Sequence, residues 1–210
     1  AELFGVDAGD ALHGADHAGA GSLHAFDRTD ALGRGRRHGR RRTLARDGGG
    51  VLLTQAIHSL DLFRALVGVR SVLAAQVITT GLHRMETEDY ASALLTLGNG
   101  APGQLLATTA MRPGRPECIE VIGSLGSAVL EGGSLQIDFV DGETLQLKAQ
   151  GGTGSGANIM DFPNDDHRAL LQDFVDAITQ SRSPRVTGLD ALQTQQLIGQ
   201  VLASAGGSSA

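Results

Sequence analysis

The chain has 210 residues, 41% of them hydrophobic but only 3% aromatic, and a formal net charge of −6. That allows one sizeable domain with a core of Leu, Val, Ile and Ala, and its acidity argues against nucleic acid as the main partner. No apolar run nears the roughly 20 residues that span a bilayer, and the lone Cys118 excludes an intrachain disulfide or a cysteine metal cluster. The N-terminus, Ala1-Glu2-Leu3-Phe4, lacks the basic-then-apolar order of a signal peptide, so a cytoplasmic location is expected.

Residues 1–44 are rich in Ala, Gly, Asp, His and Arg, and show no sustained period of 2 or 3.6. They hold seven Arg and six acidic residues, whereas the body holds ten basic and seventeen acidic ones. Residues 33–42 concentrate arginine. Such a segment reads as an arm that contacts phosphates, as a solvated, poorly ordered tail, or as GC-rich coding read in a shifted frame. The expectation is a low-complexity leader, disordered or out of frame, followed by one domain over residues 45–207.

From Gly48 the texture changes. Gly48, Gly49 and Gly50 suit a loop that runs close against a ligand. Leu53, Ala56, Ile57, Leu60, Phe63 and Val67 then recur at helical spacing up to Gly68, which predicts one helix over 51–67. Thr54, His58 and Asp61 are four and three residues apart, so a single helix would stack them on one side. An imidazole there is a candidate acid/base group. The alternative is a helix with one hydrogen-bonded histidine.

Strands are predicted over 71–80, 90–97, 103–111, 117–123, 127–131, 134–140 and 143–149, with turns at Asn99-Gly100 and Asp141-Gly142. Residues 151–156 read as a flexible loop. Helices are predicted over 167–181, with Leu170, Leu171, Phe174, Ala177 and Ile178 inward, and over 189–205, with Leu192, Leu197, Val201 and Leu202 inward. The order is helix, about seven strands joined mostly by hairpins, then two helices. That predicts an α+β fold with an antiparallel sheet and no doubly wound nucleotide-binding unit. Gly98, Gly100 and Gly103 spell the dinucleotide fingerprint, but Asn99-Gly100 between two strands is a hairpin signal.

Residues 83–89 gather His83, Arg84, Glu86, Glu88 and Asp89. A charged loop leading into a strand explains them better than a metal site. Asp165, Asp166 and His167 read as a helix start, and Cys118 as an inert core thiol.

Together these residues resemble the C-terminal domain of the Gfo/Idh/MocA oxidoreductases. The resemblance runs from about residue 47 to 205. It rests on Gly48-Gly49-Gly50…His58…Asp61, Glu88-Asp89, Leu97-Gly98-Asn99-Gly100, Pro113-Gly114…Glu117, Ile119-Glu120-Val121-Ile122-Gly123-Ser124-Leu125-Gly126, Leu171-Gln172-Asp173-Phe174 and Pro184…Gly188…Asp190-Ala191-Leu192. It implies an open, mostly antiparallel sheet with helices packed on one face, a sheet that often joins subunits into a homo-oligomer, and a sugar-like small-molecule substrate. It also implies NAD or NADP, held in the intact enzyme by a preceding Rossmann domain with a Glu-Lys-Pro lysine. Neither is recognisable here, and Lys148, the single lysine, lies in a late hairpin. The cofactor-binding residues are therefore unknown, this chain alone is expected to bind no cofactor, and no metal or membrane is implied. The family places an aspartate four residues before its histidine. His58 matches the histidine as catalytic, while Thr54 stands in the aspartate's position as a substrate-binding residue without charge. Arg84 or His83 is placed by the resemblance to touch a sugar carboxylate or hydroxyl. The competing expectation is a non-catalytic oligomerisation or ligand-binding domain.

Overall fold

A computed structural model describes residues 20–26, 43–111, 113–148 and 165–206. Its frame is one eight-stranded sheet: β1 (Ala20–Phe26), β2 (Val69–Ile78), β3 (Tyr90–Leu97), β4 (Pro102–Thr108), β5 (Cys118–Gly123), β6 (Gly126–Glu131), β7 (Ser134–Phe139) and β8 (Thr144–Leu147). The order across it is β2-β3-β4-β1-β5-β6-β7-β8. Every pairing is antiparallel except β1 with β4. The helices are α1 (Leu44–Asp47), α2 (Val51–Thr54), α3 (Ile57–Val67), α4 (Asp165–Thr179) and α5 (Gly188–Gly206). The fold is α+β, an open and mostly antiparallel sheet with helices on one face.

The two sheet faces differ because side chains alternate along each strand. One face presents Ala91, Ala93, Leu95 and Leu97 of β3, Leu105 and Ala107 of β4, Leu23 of β1 and Ile119 of β5, all buried. Val51, Leu52, Ala56, Leu60 and Phe63 pack against it, with Leu197, Ile198 and Val201 of α5. The opposite face carries Ser92, Gln104, Glu120 and Gln136 among exposed Leu94 and Ile122.

The predicted hairpins form where expected. Gly100, at φ +89°, takes a conformation that a side chain would strain. Leu97 N–H donates to Ala101 O at 2.8 Å, closing the turn between β3 and β4. The G-x-G-x-x-G match is thus a hairpin and not a phosphate loop.

Four expectations need revision. β1 lies within the segment that read as a structureless leader, yet it occupies the middle of the sheet between β4 and β5. Its partners lie about 80 to 100 residues away, so no local turn signal announces it; residues 1–19 and the arginine stretch 33–42 lie outside the described residues, as does the 151–156 loop. The helix predicted over 51–67 is two helices. Gln55, at φ −129° and ψ −60°, leaves the helical region, and Ala56 N–H reaches back five residues to Val51 O at 2.9 Å. The wider turn lets Leu52, Ala56, Leu60 and Phe63 all reach the core. In α4, Leu170, Leu171, Phe174 and Ile178 are exposed, and of the five expected inward only Ala177 is buried. In α5, Leu192 is exposed as well, while Leu197 and Val201 are buried as expected.

A reciprocal cap starts α5. Thr187 N–H and Oγ1 both donate to Asp190 Oδ2, at 3.1 and 2.6 Å, and Asp190 N–H donates back to Thr187 Oγ1 at 3.3 Å.

Candidate functional site

Strand directions bring the candidate residues to one end of the sheet. Ile78 pairs with Tyr90, Tyr90 with Thr108, Thr108 with Phe26, and His24 with Cys118. The ends of β2, β4 and β1 therefore meet the starts of β3 and β5 along one rim. The α2 N-terminus is tied there too, because Val51 N–H donates to Glu88 O at 2.8 Å and Leu52 N–H to the Glu88 carboxylate at 3.2 Å. The acid complements the open N–H groups of a helix start.

This contact explains the last of the three glycines. A Cβ on Gly50 would lie 2.2 Å from Glu88 O and 2.3 Å from its carboxylate. The close approach expected toward a ligand is thus made to Glu88, within the protein.

His58 is exposed on the first turn of α3. Its neighbour Ser59 is buried and donates from Oγ to Glu117 Oε2 at 2.6 Å, which pins that turn to the segment leading into β5. Thr54 belongs to α2 and lies across the break, so the expected single stack of Thr54, His58 and Asp61 does not form. The Thr54 hydroxyl donates to Gly50 O at 2.8 Å, leaving only its lone pairs for a further partner. Asp61 turns to α5, accepting from Thr194 Oγ1 and, at 3.4 Å, from Arg64. It is a helix-pairing residue rather than a partner of His58.

Arg84 is exposed on the loop between β2 and β3. Five positions on, Asp89 is fully buried and accepts hydrogen bonds from Thr80 N–H at 2.7 Å and Thr80 Oγ1 at 2.6 Å. The His83 imidazole, at 2.8 Å through Nδ1, is its third partner. Burial pushes the Asp89 carboxyl up, but the Thr80 hydrogen bonds and the facing imidazole outweigh it and hold the group below its ordinary 3.8. The sequence offered Glu88-Asp89 only as a pair ahead of a strand. The fold splits them, Glu88 to a helix start and Asp89 to His83.

Cys118 opens β5 half-buried, and burial together with the Glu131 and Glu120 carboxylates raises its thiol pKa. That suits an unreactive thiol. No group of three or more His, Cys, Asp or Glu side chains able to hold a metal exists among the described residues. Nor, among the described residues, does a strand, glycine turn and helix unit of the kind that seats a dinucleotide pyrophosphate. No helix among them is long and apolar enough to cross a membrane.

The sequence model of the GFO/IDH/MocA C-terminal domain matches residues 21–129, just over half the chain. The chain belongs to the Gfo/Idh/MocA family. The match begins inside β1. An uncharacterized oxidoreductase of Synechocystis is 29% identical over 158 residues, which is 65% of this chain and 42% of that protein. The WlbA dehydrogenase of Bordetella pertussis, solved with NADH and UDP-GlcNAcA, superposes with a TM-score of 0.65 at 21% identity, over 95% of this chain and 56% of its own. A levoglucosan dehydrogenase with NADH and levoglucosan gives 0.72 at 20% identity, over 93% and 59%. An oxidoreductase domain protein of Kribbella flavida gives 0.75 at 18%, over 94% and 59%. The Gfo/Idh/MocA chain described here thus spans about half the length of these relatives.

Proposed function

We propose that this chain is the substrate-side domain of an NAD(P)-dependent oxidoreductase acting on a sugar, polyol or sugar derivative, inactive until a Rossmann domain accompanies it. The observation that carries the reading is a member of this family whose exposed His58 stands at the sheet end where β1, β2, β3, β4 and β5 converge. The domain is read as residues 45–207 together with β1, in the cytoplasm. His58 exchanges a proton with a substrate hydroxyl. Thr54 accepts a hydrogen bond from a second hydroxyl, and Arg84 offers a positive charge to a carboxylate or phosphate on the sugar. The sugar dehydrogenases among the structural relatives support this class of substrate.

Exposed Leu94 and Ile122 on the outer sheet face favour a second reading, a domain whose task is to join copies of itself into a homo-oligomer. Calorimetry of the full chain with levoglucosan, UDP-N-acetylglucosamine and NADH separates the two, paired with sedimentation velocity. The first reading expects weak sugar binding that His58→Ala reduces, with no heat from NADH. Oligomers without sugar binding would favour the second, and tight NADH binding would overturn the assignment of cofactor binding to another domain.

A further inference from the structure

We propose that His83, locked by buried Asp89, is a second ligand-binding imidazole on this rim, which takes a substrate hydroxyl through Nε2. The inference rests on the sugar-directed reading above. An ionised carboxylate with no solvent exposure is costly unless charged or hydrogen-bonded partners satisfy it. Asp89 meets that cost with both Thr80 donors and with His83. A carboxylate only accepts, so His83 Nδ1 carries the proton. In the neutral ring Nε2 is then an acceptor, a tautomer held by a buried acid in the manner of an oriented ligand or base. The ring is 28% exposed, and its hydrogen bond among the described residues is made through Nδ1.

A second observation lies in the same loop. Thr87 is 8% exposed, and its hydroxyl has no hydrogen-bond partner among the described residues. Its carbonyl accepts from Thr79 Oγ1 at 2.8 Å, next to the Thr80 that holds Asp89. Buried hydroxyls are rarely left unmatched, so the loop that carries His83 is incompletely satisfied among the described residues. The resemblance named Arg84 or His83 in this loop, and of the two it is His83 that the buried Asp89 holds.

A loop staple without ligand contact is the competing role, and two variants separate it from the proposal. His83→Asn keeps a donor where Nδ1 meets Asp89 but removes Nε2. His83→Gln keeps a polar group near Nε2 but gives up the bond to Asp89. The full chain, ¹⁵N-labelled at histidine, is titrated with levoglucosan and with UDP-N-acetylglucosamine while both imidazole nitrogens are followed by NMR. The expected result is a protonated Nδ1 on His83 and an Nε2 resonance that moves with added sugar. His83→Asn should keep its melting temperature and bind about tenfold more weakly, as for one lost hydrogen bond; His83→Gln should lose melting temperature but recover part of the binding. Wild-type affinity in His83→Asn, or the opposite tautomer, overturns the proposal. Shifts at His58 without shifts at His83 overturn it alone, whereas no shift at either imidazole removes the functional reading with it.

Discussion

At the scale of single residues, the rim is organised by acids that the sequence shows only as a charged loop. Glu88 and Asp89 are adjacent, yet one is spent on α2 and the other is buried against Thr80 and His83. Both lie just before β3, where the chain is not yet paired as a strand, and the two acids take different partners. Asp89 also makes acid stability testable. Its folded pKa lies below the ordinary value, so its contribution is complete above about pH 4 and is lost as pH falls through the depressed folded value. Urea denaturation at successive pH values should show Asp89→Asn less stable than the parent near neutrality, with the gap closing in acid. A gap that stays constant down to the lowest pH would show that the carboxylate's charge contributes nothing.

At the scale of elements, hairpins and helix ends were legible because their causes are local. Gly100 and the Asp141-Gly142 turn each join strands a few residues apart, and Thr187 with Asp190 caps α5 within one turn. Continuity of the first helix was not legible. Its apolar spacing fits an unbroken run, but the N-terminus is tied to Glu88 while the C-terminal part follows the core, and the mismatch is absorbed at Gln55 and Ala56. The union of α3 with α5 depends on Thr194, which is 2% exposed, donates to Asp61 and accepts from Arg64 Nε at 2.9 Å. Thr194→Val keeps the shape and deletes both bonds, so a loss of about 1–3 kcal/mol is expected by chemical denaturation. An unchanged midpoint would mean that apolar packing alone holds these helices together.

At the scale of the whole molecule, β1 carries the largest lesson. Its composition reads as part of a low-complexity leader, yet Leu23 is fully buried, and the strand joins β4 to β5 in the middle of the sheet. Leu23→Ala should therefore cost about 2–5 kcal/mol in urea denaturation followed by far-UV circular dichroism, as for other core truncations. A neutral result would return residues 20–26 to the status of a dispensable leader. The sequence by itself determined the α+β class, the hairpin order, the family resemblance and His58 as a candidate, because periodicity, turn chemistry and motif spacing act over short stretches of chain. Only the tertiary structure decided that β1 belongs to the sheet, that Thr54 and His58 sit on separate helices, and that Asp89 holds His83. Each of those depends on a pairing, a core or a buried charge whose energy exists only once distant segments have met.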